Sequence, residues 1–186
     1  MTTRFRFRVL ALWMVSILPL FTNPVQGEGI SRQQEKLNGG YFLLHNLSED
    51  EAQVPLLLDL KHAPPEIVAF ANRMSQAGKA TGATLDRFQE KDPAIQLDRN
   101  PLPQIEKDTR DSIKGDKQHQ LLFGTTGSEF VRAFLVSQIE ASTYAVNLSK
   151  VLAAQESDPQ RTKTLRRVSA QWLALRNDAF RILRNF

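Results

Sequence analysis

Cysteine is absent from the 186 residues. Its absence excludes disulfide staples, a thiolate nucleophile and the acylated cysteine of a lipobox, so stability has to come from apolar packing. Histidine occurs three times, too few to make a multi-ligand zinc site promising. No Glu-x-x-His pair is present, although a ferritin-like di-iron centre draws one from each of two helices. There is no Gly-x-Ser-x-Gly elbow and no phosphate-cradling glycine loop. No stretch alternates apolar and polar residues over the length of a strand, which argues against a sheet.

What is present begins with an export pattern. Arg4, Arg6 and Arg8 precede an apolar run from Val9 to Phe21, and Val25-Gln26-Gly27 supplies small residues after it. This is the layout of a cleaved signal peptide, and residues 1–27 are expected to be one. A membrane-spanning helix needs about 20 apolar residues, and this run is shorter and interrupted by Pro19. Without the three arginines of this segment the formal net charge falls from +4 to +1. The remaining charge is uneven. From residue 159 to the end there are seven basic residues against one acid, Asp178, and the rest of the mature chain is acidic.

Residues 28–40 are polar and end in Gly39-Gly40, so a flexible leader or frayed helix is expected there, followed by one domain over 41–186. Ser48 with Glu49, Asp50 and Glu51 reads as a helix start with acids in its first turn. Pro55 is expected to kink or shorten that helix. Pro64-Pro65-Glu66 opens a long helix whose stripe is Ile67, Phe70, Met74, Ala77, Thr81, Leu85 and Phe88. Residues 92–103, with three prolines, form a connection. Residues 104–118 are charged and predict a partly exposed helix.

Thr126-Gly127-Ser128-Glu129 has the spacing of a capping box. The helix after it is expected to bury Phe130, Phe134, Ala141, Tyr144, Leu148 and Val151. Ser157-Asp158-Pro159 starts the last helix, with Leu165, Val168, Trp172, Leu175, Ala179 and Leu183 on one face. Four to five helices around one core, an all-α bundle, is the expected fold.

Two stretches carry a family resemblance. These are residues 67–74, Ile-Val-Ala-Phe-Ala-Asn-Arg-Met, and residues 121–139, with Gly127-x-x-Phe130 and Phe134-x-x-x-Gln138-Ile139. They resemble a bacterial family of exported helical proteins of unknown function, often labelled putative outer-membrane proteins and ferritin-like in shape. The resemblance covers roughly residues 42–183 and implies a ferritin-like four-helix bundle. The family's usual histidines are missing: Ala77-Gly78 stands where it has an Asp-His pair, and Ser142 and Arg176 stand where it has histidines.

The candidate chemistry is correspondingly thin. Asp59-x-x-His62 and Asp116-x-x-His119 are the nearest echoes of a metal pair, and Glu140 and Asp178 are acid/base candidates only if buried together. Phe130, Phe134, Tyr144, Trp172 and Phe180 are expected in the core rather than around a pocket. No catalytic residue, metal ligand or cofactor is therefore assigned. Arg161, Arg166, Arg167, Arg176, Arg181 and Arg184 form a candidate surface for an anionic envelope polymer or lipid, with no nucleic-acid partner and no membrane span after cleavage. The expected function is that of an exported, periplasmic or secreted, non-catalytic bundle of the bacterial cell envelope, working by binding or in stress. The alternative is a degenerate ferritin-like metal-binding or redox protein.

Overall fold

The computed structural model describes residues 25–59 and 61–186. Most of the expected signal peptide, residues 1–24, lies outside the described residues. The chain forms α1 (Val25–Ala52), α2 (Val54–Asp59), α3 (Pro65–Lys91), α4 (Gln104–His119), a π-helical turn (Gln120–Gly124), α5 (Gly127–Gln155) and α6 (Pro159–Leu183). Among the described residues there is no strand, and no helix is long and apolar enough to cross a membrane.

Four long helices, α1, α3, α5 and α6, make the bundle. α1 packs on α3 and α5, and α6 packs on α5 and α3. Contacts give the directions. His45 meets Asp86 and Ala52 meets Ser75 between α1 and α3, Val146 meets Ser169 between α5 and α6, and Thr81 meets Trp172 between α3 and α6. Tyr41 of α1 reaches Glu156 just past the end of α5. Every neighbouring pair is therefore antiparallel, so α3 and α5 run the same way. The order is up, down, down, up, and the connection from α3 to α5 has to travel back along the bundle. Residues 92–126, with α4 in their middle, make that crossing.

The long α3 begins where proline costs no intrahelical bond, with Pro65 in its first turn and Pro64 as its cap. Its stripe is inside: Ile67, Phe70, Met74, Ala77, Thr81 and Leu85 are buried and Phe88 is half-buried. The start of α6 is held by Asp158, whose Oδ1 accepts the amides of Gln160 and Arg161 at 2.7 and 2.8 Å. Leu165, Val168, Trp172, Leu175, Ala179 and Ile182 of α6 are buried, whereas Phe180 faces out.

Several expectations change. Residues 28–40 belong to the continuous helix α1 rather than to a flexible leader. Leu37 is buried in the core, and the glycines end nothing. At Gly40 the Leu152 side chain comes so close that a Cβ would meet it at 2.6 Å, so this glycine admits the end of α5. Ser48–Glu51 lies inside α1 rather than at a helix start. Ser48 is fully buried and donates to the Leu44 carbonyl at 2.7 Å. Of the two outcomes expected at Pro55, the shorter helix holds and the kink does not: α1 stops at Ala52, and Pro55 falls in the first turn of α2. The capping box at Thr126 does not form: its side chain makes no cap bond, and Gly127 turns left-handed at φ 54°.

Candidate functional site

The crossing helix α4 buries none of its residues. It lies over the seam between α1 and α5, tied by ion pairs from Lys114 to Asp50 of α1 at 2.6 Å and from Lys117 to Glu140 of α5. The Arg110 guanidinium sits 5.7 Å from the centroid of the Tyr144 ring. Because these ties are made by long side chains, the helix stands off the seam. The space left beneath it is a cleft of about 960 Å³, walled by leucines of α1, α2 and the crossing segment, including Leu43, Leu47, Leu57 and Leu102, with Phe134 and Tyr144 from α5. That volume lies in the range of small-molecule sites.

The rim of the cleft is charged and polar, and two of its polar side chains are nearly buried. Glu51 of α1 is 7% exposed and Gln138 of α5 is 4% exposed, and both line the cleft. Glu51 Oε2 and Gln138 Oε1 have no hydrogen-bond partner. Burial pushes the Glu51 carboxyl up to about 8, and the neighbouring Asp50 carboxylate adds to the rise while the Gln138 amide opposes it. At neutral pH Glu51 is therefore mostly an uncharged acid, able both to donate and to accept.

A second polar cluster is saturated rather than open. Glu156, after α5, accepts from Arg161 Nε at 2.9 Å and Nη2 at 3.0 Å and also from the Tyr41 hydroxyl. Arg161 Nη1 reaches Asp92 Oδ2 at 3.0 Å. Burial alone would raise the Glu156 carboxyl, but the bonds from Arg161, the Asp158 amide and Tyr41 outweigh it and hold the carboxyl below its ordinary value. The same cluster pushes the Tyr41 hydroxyl up, through burial and then the Glu156 carboxylate, and raises Arg161 mainly through its bonds to Glu156. This knot ties α1, the end of α3 and the α5–α6 corner together.

The residues singled out from sequence are dispersed. Asp59 ends α2, whereas His62 lies beyond it in a left-handed turn at φ 49°, so the two do not share a helical face. Asp116 and His119 are exposed on α4, with His119 against the Phe123 ring. Among the described residues no three His, Asp or Glu side chains are placed to hold a metal. Glu140 pairs with Lys117, and Asp178 pairs with Arg73 and Arg181, all at the surface and apart from one another. Phe130, Phe134 and Trp172 are buried as expected. Tyr144 is instead 37% exposed on the rim of the cleft and Phe180 is 47% exposed.

Ser142 is buried against the Met74 sulfur at 3.9 Å, and Gly78 faces the α1 backbone. Arg176 keeps a buried Nε without a partner. Of the arginine set, Arg161 is consumed by the internal knot and Arg181 pairs with Asp178. Arg166 and Arg167, with Lys163, border an open depression of about 560 Å³ on the outer face of α6.

Glu51 and Gln138 were not separable by sequence pattern, since one resembles a helix-start acid and the other an ordinary helix glutamine. A polar residue in phase with Phe134 was the available signal. No family model, curated protein or solved structure matches this chain.

Proposed function

We propose that this chain is an exported, non-catalytic helical-bundle protein of the bacterial cell envelope, periplasmic or secreted, and that it works by binding a small molecule in the cleft beneath α4. One observation carries the reading: two nearly buried side chains, Glu51 and Gln138, each hold an oxygen without a partner at the wall of an apolar cleft. An orphaned buried polar group costs about 1–3 kcal/mol, a penalty that a bound molecule offsets by supplying the missing bond. Export is supported by the charge and apolar pattern of residues 1–27. The family resemblance is supported by the up, down, down, up order with one long crossover, the connectivity of ferritin-like bundles.

The test is native mass spectrometry of the chain purified from a bacterial host without chelators. A small bound mass that is lost in Gln138→Leu supports the proposal. Stoichiometric iron, manganese or zinc lost on His62→Ala or His119→Ala would instead favour the degenerate metal-binding reading.

A second reading has its own observation. Among the described residues Lys163, Arg166 and Arg167 have no acidic partner, and they surround the open depression on α6. Such a patch suits an anionic envelope polymer or lipid surface. Charge reversal at Arg166 and Arg167 should abolish co-sedimentation with anionic liposomes, while neutral liposomes should retain neither form.

A further inference from the structure

The chemistry of the cleft wall narrows the class of molecule that fits it. Its apolar lining from Leu43, Leu47, Leu57 and Leu102 suits an aliphatic body. The polar end holds the Glu51 carboxyl and the Gln138 side-chain amide, both in the lining and both more than nine-tenths buried. A head group placed there leaves water, so a charged head would have to be matched by an opposite charge at the same depth. Charge is available only nearer the surface. Asp50 and Lys114 satisfy each other, as do Glu140 and Lys117, and Arg110 is held by Glu106 beside Tyr144. Lys107 and Asp111 of α4 complete the charged lining.

Resting on the reading of this cleft as the binding site, we propose that it takes a small molecule with an aliphatic body and an uncharged carboxamide head, held by Glu51 and Gln138. A primary amide has two N–H donors and one carbonyl acceptor. One N–H and the carbonyl complete a two-bond ring with the Glu51 carboxylic acid, and the second N–H satisfies Gln138 Oε1. Both oxygens that lack partners gain one, and no net charge is buried. An alcohol makes only part of this set. A carboxylate brings no donor, and an alkylammonium brings a charge that Glu51 could match only after losing its proton.

The experiment is an NMR titration of the full chain with octanamide, octanoate and octylamine as probes, at about pH 6.5 and about pH 9.5. The expected result is shifts confined to residues lining the cleft, with octanamide binding about tenfold more tightly than either charged probe at the lower pH. Its affinity should fall at the higher pH as Glu51 ionises. Glu51→Gln, which keeps an uncharged donor and acceptor, should retain octanamide and remove the pH dependence. Gln138→Leu and Glu51→Leu should each weaken it to the level of the charged probes. Octylamine binding most tightly, or all three probes binding alike, overturns the carboxamide assignment and leaves the cleft as a binding site. If no probe shifts the cleft residues, the site and the assignment both fall.

Discussion

A methyl group on Gly78 of α3 would sit 2.6 Å from the carbonyl oxygen of Ser48 on α1, and 2.9 Å from the amide nitrogen of Ala52. Both obstacles are backbone, so nothing can swing aside. Gly78→Ala should force the two helices apart and cost about 1–3 kcal/mol, as overpacking does. Gly82, one turn on, has open space where its Cβ would stand. Gly82→Ala should raise stability by up to about 1 kcal/mol through helix propensity. Urea unfolding of the two variants, compared with the parent, checks the opposite signs.

The indole nitrogen of Trp172 donates to the Thr81 hydroxyl at 3.1 Å in the middle of the bundle. Thr81→Val keeps the shape and removes the acceptor, leaving a buried N–H at a cost of about 1–3 kcal/mol. Thr81→Ser should lose less. Thermal unfolding of both variants distinguishes the bond from the packing around it.

The Glu51 carboxyl titrates near 8 in the folded chain against 4.5 for the free group. Between those values the folded state keeps a proton that the unfolded state has released, so stability should fall as pH rises through this window, by up to about 1.4 kcal/mol per unit. Below the unfolded value the slope from this residue vanishes. Glu51→Gln should flatten the profile and be the more stable form above neutrality. Denaturant midpoints measured at several pH values across the window decide this.

Where Tyr41 of α1 meets Glu156, the sign reverses. Glu156 is ionised and held by Arg161, so removing the guanidinium leaves a carboxylate whose side chain is only 1% exposed without its countercharge, bonded by the Tyr41 hydroxyl and the Asp158 amide alone. Arg161→Met should destabilise by about 3–5 kcal/mol, the range for breaking a buried pair from one side. The loss should shrink in acid, where Glu156 protonates in either form. Equilibrium unfolding at neutral and acidic pH tests both parts.

The cover over the cleft is tethered by surface ion pairs, which salt screens. Lys114→Ala combined with Lys117→Ala should speed amide exchange across residues 104–119 while leaving α3 and α6 protected. Raising the salt concentration should move the parent chain in the same direction. Hydrogen-exchange mass spectrometry reads both effects.

The legible parts of the fold are those where apolarity and burial coincide. The stripe of α3 from Ile67 to Leu85 and that of α6 from Leu165 to Ala179 could be read directly, because leucines and aromatics there recur at helical spacing. The second half of α5 misleads. Its inward face mixes Gln138, Ser142 and Ser149 with Ala145, Val146, Leu152 and Ala153, whereas Tyr144 and Val151 are exposed, so apolar residues mark both sides. α1 misleads for a different reason. Gly39 and Gly40 look like a break, yet they lie inside the helix with Pro101 and Leu152 packed closely on them. Nothing in the local sequence marks Glu51 as buried; only the return path of the chain over it does so.

α4 spans the seam between α1 and α5 and contributes no buried side chain, so the contacts that hold α1, α3, α5 and α6 together do not run through it. Substitutions along this roof can accumulate without loosening the walls.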